Sequence, residues 1–295
     1  MINHQRTFIP GSEWLYFKVY TGIKTADKIL IENISALIST LKKKKLITKW
    51  FFIRYNDPDF HLRIRVLVDN KNNINDVIKV FHRNLNNLLK NNDIWKVQID
   101  TYNRELERYG YDMIEEAESF FYHDSDCILQ LLKTLKKYNL ETSRWMFGLK
   151  LIDELLSDFD YNLGKKKNFI NSISTSFKKE FNFNDKNSKQ FTVKYRENKK
   201  NIEQIFAKEN KNEIFTQINL IFTQRSIDLK SAISIINQKI INHKNFDLDM
   251  LLSSYIHMTL NRLFRSKNRI YELLLYDFLN MFYASEIAKS IKTYS

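Results

Sequence analysis

Hydrophobic periodicity changes once along this chain, and the change fixes the order of its layers. Apolar residues recur mainly at every second position in 14–20, 47–55, 61–68 and 95–104, the spacing of half-buried strands. Between these runs, 25–41 and 74–89 carry helical spacing, with Val77, Phe81, Leu85 and Leu88 on one stripe of the second. Asn56-Asp57-Pro58-Asp59 supplies turn chemistry between the second and third strands and predicts a hairpin. From Ile114 onward the period is helical, and no proline follows Pro58 to interrupt it. The spacing predicts helices over 114–121, 125–137, 142–157, 166–180, 190–208, 211–222, 227–242, 247–264 and 267–289, with a polar loop at 182–189. The expected class is α+β. An N-terminal split α/β sandwich over 1–112, with a mainly antiparallel or mixed sheet, is followed by a mainly helical half over 113–295 packed on it, the two forming one compact functional domain.

Bulk properties exclude several classes. A 43% hydrophobic content over 295 residues is ample for a buried core. No apolar run approaches the ~18 residues of a membrane helix, and the first segment lacks a signal pattern, so a cytoplasmic address and no membrane span are expected. Cys127 is the single cysteine, which rules out internal disulfides and multi-cysteine metal sites. The histidines, His4, His61, His82, His123, His243 and His257, form no HExxH or His/Cys cluster, and no metal or other cofactor is predicted. The +13 net charge would suit a polyanion, but 34 of the 47 basic residues are lysines in an Asn- and Ile-rich chain, and their runs fall near expected helix ends.

The chemistry concentrates on two strands. Alternation along His61-Leu62-Arg63-Ile64-Arg65 puts His61, Arg63 and Arg65 on one face, and Leu62 and Ile64 on the other. Arg63 and Arg65 cannot lose their charge, and a two-residue step of about 6.6 Å lets both address one anionic ligand. In the fourth strand Gln98, Asp100, Tyr102 and Arg104 share a face, opposite Val97, Ile99 and Thr101. A lone strand arginine is ordinarily a solvated charge; three on two faces point to a site. Late in the chain Ser254, His257 and Asn261 share one helix face, flanked by Tyr255, Met258 and Arg262. A histidine among polar neighbours can donate or accept a proton near neutral pH.

These segments resemble a known family, the C-terminal domain of class I lantibiotic dehydratases, also found alone as thiopeptide-type bacteriocin biosynthesis proteins. The resemblance rests on Trp50-Phe51-Phe52-Ile53-Arg54-Tyr55, His61 to Arg65, Tyr102-Asn103-Arg104-Glu105 through Arg108-Tyr109-Gly110, Asp124-Ser125, His257-Met258 and Asn261-Arg262. It implies a glutamate-elimination domain, in which a precursor-peptide Ser or Thr, glutamylated from glutamyl-tRNA, loses glutamate to become dehydroalanine or dehydrobutyrine. The family's elimination arginines fall on Arg63, Arg65 and Arg104, and its histidine on His257. His61, Tyr102, Asn261 and Arg262 are the implied substrate contacts. The implied partners are the precursor peptide and a separate glutamylating subunit, with a homodimer by family analogy. Within the same family, stand-alone members instead close a six-membered ring from two dehydroalanines, and a non-catalytic subunit docking a leader peptide is the competing reading from another class. Whether His257 acts as acid or base is open at this level.

Overall fold

The computed structural model describes residues 4–207, 212–242 and 246–293; His243 and the expected helix ends at 208 and 211 lie outside them. In chain order the elements begin with β1 (Thr7–Phe8), β2 (Trp14–Thr21), α1 (Thr25–Lys28), a π-helical turn (Ile29–Ile34), α2 (Ser35–Lys43), β3 (Ile47–Asn56) and β4 (Phe60–Val68). They continue with α3 (Ile74–Lys90), β5 (Ile94–Asp100), β6 (Tyr102–Asn103), α4 (Leu106–Tyr109) and α5 (Ile114–Lys137). The helices that follow are α6 (Arg144–Asp158), α7 (Leu163–Glu180), α8 (Asp185–Phe206), α9 (Glu213–Asn242), α10 (Leu248–Leu263) and α11 (Asn268–Thr293). The expected α+β class is borne out, with antiparallel pairing throughout the described sheets.

The chain divides into two compact units. The first comprises Met1–Thr134, Asp228–Phe246 and Asn261–Ser266; the second comprises Leu135–Ile227, Asp247–Leu260 and Lys267–Ser295. In the first unit four strands pair in the order β3-β4-β2-β5, so the basic strand β4 is internal. Leu62, Ile64 and Val66 of β4 join Leu15, Phe17 and Val19 of β2 on one buried face. Helix α3 covers that face: Phe81 stacks on Phe17 with ring centroids 3.7 Å apart and planes 7° from parallel. Its buried stripe is Val77, Val80, Phe81, Leu85 and Leu88, as helical spacing requires.

Four expectations need correction. The fourth strand does not run unbroken to residue 104. The Asp100 carboxylate accepts from the Thr101 amide at 2.7 Å, ending the ladder, and Tyr102–Asn103 pair with Thr7–Phe8 in a separate two-stranded sheet. The expected helices 114–121 and 125–137 are one helix, because Asp124 and Ser125 are buried and bonded inside it instead of capping a new start. Likewise 211–222 and 227–242 merge into α9, and the polar loop at 182–189 shrinks because Asn184 and Asn187 make a reciprocal cap that starts α8 at Asp185.

The outer edge of β3 is closed by side chains. Ser125 Oγ accepts from the Phe52 amide at 3.2 Å, and Arg262 Nε donates to the Phe52 carbonyl at 2.9 Å. The Asn261 amide reads both groups of Arg54, accepting from its N–H and donating to its carbonyl, each at 2.9 Å. An exposed edge would otherwise leave these groups open to a foreign strand. Buried charges near this edge are paired: Arg262 with Asp124 at 3.0 Å and Arg54 with Asp27 at 2.6 Å, the same Asp27 also meeting the more exposed Arg265 at 2.6 Å. Gly110 holds the turn before α5 at φ +86°, and a Cβ there would come 2.6 Å from Met113 Cε.

The second unit is helical. Its central pair is α7 and α11, joined by Phe177 edge-on to Tyr276 at 5.1 Å and by Arg269 over the Phe177 ring at 3.9 Å. Lys166 reaches Asp153 of α6 at 2.6 Å, and Tyr283 donates to the same carboxylate at 2.8 Å. Among the described residues no helix is long and apolar enough to cross a membrane.

Candidate active site

Cross-strand register builds one cationic face from β2, β4 and β5. Tyr16 stands between Arg65 and Asp100, Lys18 between Arg63 and Gln98, and Tyr20 between His61 and Lys96. Residues directly opposite in an antiparallel pair share a face, so Arg63, Arg65, His61, Lys18 and Tyr16 belong to one surface. Lys18 is ion-paired with Asp100.

Arg65 is 9% exposed, and its guanidinium is walled by rings: Tyr16 at 4.5 Å, Tyr102 at 4.7 Å and Phe51 at 5.3 Å from the guanidinium carbon. Its Nε has no hydrogen-bond partner. Burial pushes its pKa down, against the fields of Tyr102 and Tyr16, while Arg63 adds to the depression. Arg63 lies over the Tyr55 ring at 3.3 Å and donates from Nε to His61 Nε2 at 3.1 Å. Since the other nitrogen of His61 lies 2.8 Å from the Asp59 carbonyl, the ring is the neutral Nδ1–H tautomer, donating to Asp59 and accepting from Arg63. Burial, with the charges of Arg63 and Lys18, lowers the His61 pKa and holds it neutral. Among the described residues neither Arg63 nor Arg65 is paired with a carboxylate. Two fixed cations without a carboxylate partner on one sheet face have the chemistry to hold an anion.

Arg104 is different. Its Nε and Nη2 both donate to Glu118 at 2.7 Å, and Nη1 donates to the Gln5 carbonyl at 3.1 Å. Burial works against its charge, but the Glu118 hydrogen bonds and field outweigh it and the pKa is raised. Tyr102 donates to the same Glu118 at 2.9 Å, and burial followed by the Glu118 field keeps it a phenol. Arg104 and Glu118 therefore fix the ring that walls Arg65. Asn261 and Arg262, the other expected substrate contacts, have polar groups engaged at the β3 edge.

His257 belongs to the helical unit, where its ring is 30% exposed. Its Nδ1 lies 2.8 Å from Glu272, whose carboxylate is 1% exposed and whose second oxygen accepts from Arg269 at 3.1 Å. Arg269 in turn pairs with Glu180. The Glu272 carboxylate accepts from Nδ1–H and so orients the imidazole, an arrangement in which Nε2 is the ring nitrogen chemically able to exchange a proton. Sequence reading missed Tyr16, Lys18, Glu118 and Glu272. Lys18 and Tyr16 had a partial signal, since they alternate along the first strand; the two glutamates had none.

Comparison with known proteins identifies relatives in sequence and in fold. The family model for the lantibiotic biosynthesis dehydratase C-terminus matches residues 14–283. The nisin biosynthesis protein NisB of Lactococcus lactis subsp. lactis is 30% identical over 182 residues, covering 60% of this chain and 17% of that protein. The subtilin biosynthesis protein SpaB of Bacillus subtilis is 25% identical over 59% of the chain and 18% of its own length. The chain thus spans less than a fifth of these relatives. Among solved structures, the tRNA-dependent lantibiotic dehydratase MibB from Microbispora sp. 107891 aligns with a TM-score of 0.70 at 18% identity, over 94% of this chain and 28% of that one. The pyridine synthase TbtD from thiomuracin biosynthesis aligns at 0.64 and 10% identity, over 92% and 99%. These two show the shared fold.

Proposed function

The chain belongs to the lantibiotic biosynthesis dehydratase C-terminal family, and from that premise we propose that it is a lyase that eliminates glutamate from glutamylated Ser or Thr of a precursor peptide. A base takes the α proton, the electron pair forms the Cα–Cβ double bond, the Cβ–O bond breaks, and glutamate leaves as a carboxylate. Negative charge develops on the enolate oxygen and then on the leaving carboxylate. Fixed cations in a dry site stabilise such charge without reorganisation. Arg63 and Arg65 have the chemistry for this, and their lack of carboxylate partners is the observation that carries the reading. His257 is assigned the proton transfer through Nε2, with Glu272 stabilising the imidazolium that forms. Arg104 and Glu118 are positioning residues that act through Tyr102.

The glutamylation step is assigned to a separate tRNA-using component, and the precursor peptide and that component are the proposed partners. The test is a purified peptide carrying a glutamyl ester on Ser or Thr, incubated with this protein alone and followed by mass spectrometry. Loss of the glutamyl group with formation of a dehydro residue is expected. An ester that survives incubation with folded protein would reject the reading. The pyridine-synthase fold neighbour makes ring closure between two dehydroalanines the second outcome to look for, and a peptide already carrying dehydroalanines gives the same assay its control.

A further inference from the structure

Two buried donors on the cationic face lack acceptors. Tyr16 Oη and Arg65 Nε are both buried and without hydrogen-bond partners among the described residues. They belong to directly opposed residues of β2 and β4, with the Arg65 guanidinium over the Tyr16 ring. Neighbouring buried polar side chains are bound to carboxylates of the protein itself: Tyr102 and Arg104 to Glu118, Arg262 through Nη1 to Asp124, and Trp50 to Asp126 at 2.8 Å. Burial raises the Tyr16 pKa, with Arg65, Arg63 and Lys18 opposing it, so the group remains a phenol able to donate. Its surroundings supply cations and rings, with the nearby carboxylate of Asp100 already held by Lys18 and the Thr101 amide.

We infer that Tyr16 is a carboxylate-binding residue, donating its hydroxyl hydrogen to the same ligand carboxylate that accepts from Arg65 Nε. A carboxylate offers two oxygens to two donors and a charge to the guanidinium. A primary amide of the same shape would turn an N–H₂ toward one of the donors, so the pair selects acid over amide. This deepens the elimination reading, on which it rests for the identity of the ligand as the glutamyl group; the pairing of donors does not depend on it.

Calorimetric titration with L-glutamate and L-glutamine tests the inference on the full chain and on Tyr16→Phe, which keeps the ring beneath Arg65. The wild-type protein should bind glutamate and discriminate against glutamine. Tyr16→Phe should raise the glutamate Kd about tenfold, as loss of one charge-assisted hydrogen bond does. Its Tm should hold or rise, because the variant removes a buried hydroxyl that had no partner. With the glutamylated peptide, the same variant should raise KM more than it lowers kcat. A glutamate Kd unchanged by Tyr16→Phe overturns the inference, as does a wild type indifferent to glutamate, or a Tm that drops with the affinity. The two readings fail separately. Elimination by the wild type with an unaltered Tyr16→Phe removes only the role of Tyr16, whereas Tyr16-dependent glutamate binding without elimination removes only the lyase.

Discussion

Arg65 has three aromatic rings where its buried neighbours Arg54, Arg104 and Arg262 have carboxylates. Cation–π contact returns about 2 kcal/mol or more to a desolvated guanidinium, against a desolvation penalty of several kcal/mol. The balance leaves Arg65 a source of instability that a bound anion relieves. Arg65→Met should therefore raise the urea midpoint, by roughly 1 kcal/mol of stability, while removing elimination. Lower stability together with lost activity would make Arg65 a structural residue. On the histidine, Glu272→Gln keeps a hydrogen-bonding group but withdraws the charge behind His257, so kcat for elimination should fall about 10²- to 10⁴-fold with little change in KM; an equal loss in kcat and in thermal stability would count against it. A third residue-scale effect follows from His61. Its folded pKa lies below the ordinary 6.5, so above that pH both states are neutral, and as pH falls the unfolded chain takes up a proton the folded one resists. Stability should decline as pH drops below about 6.5. His61→Gln should flatten part of that decline; His123, whose pKa burial also lowers, adds to it, and carboxylates held low by cations, such as Asp100 beside Lys18, add further loss at lower pH. Identical pH profiles in denaturant titrations would dismiss the effect. Arg63 and Arg65 were legible in the sequence because strand alternation is local. Glu118 and Glu272 were not, because each is an acid on a helix whose partner lies on another element.

At the scale of elements, the two ends of Phe52–Arg54 show how a pattern can be read correctly and assigned differently. The shared face of His257 and Asn261 is a property of helical spacing, and α10 confirms the helix. Yet the Asn261 amide is spent as a surrogate strand, completing the backbone bonds of Arg54 that β4 does not reach. Asn261→Ala leaves an N–H and a carbonyl open in a part-buried edge, at about 1–3 kcal/mol for each unsatisfied group. A loss of about 2–6 kcal/mol in urea unfolding is expected, with Arg63 and Arg65 untouched and glutamate binding retained. A variant as stable as the wild type would mean that water satisfies this edge. The long strands and the helical stretches were readable, while the short β1 and α4, the continuity of α5 and α9, and most element ends were not. Asp124-Ser125 resembles a cap in one dimension and becomes the middle of α5 only because Arg262 and Phe52 occupy those side chains. The break at Thr101 depends equally on a distant event, the capture of Tyr102–Asn103 by Thr7–Phe8.

On the scale of the whole molecule, the first unit is assembled from three stretches of chain, and its late stretches supply specific bonds to its early ones. Lys239 reaches Glu116 at 3.0 Å; Asn261 and Arg262 close the β3 edge; Arg262 neutralises Asp124, and Arg265 shares Asp27 with Arg54. Local sequence could not announce this, since a helix such as α10 shows the same period along its whole length although its last residues belong to the sheet-bearing unit. Removing the late stretches would take the Arg262 guanidinium away from the fully buried Asp124, a change that costs about 3–5 kcal/mol for a broken buried pair. It would also open the Phe52 carbonyl and the Arg54 N–H and carbonyl at about 1–3 kcal/mol each. Against a typical domain stability of about 5–15 kcal/mol, these losses consume most of the margin. A fragment of residues 1–134 should therefore fail to fold although it contains every described strand, giving collapsed amide dispersion by NMR where residues 1–295 give a dispersed spectrum. A cooperative urea transition in the fragment would show that the sheet holds without its late partners, and would return Asn261 and Arg262 to consideration as ligand contacts.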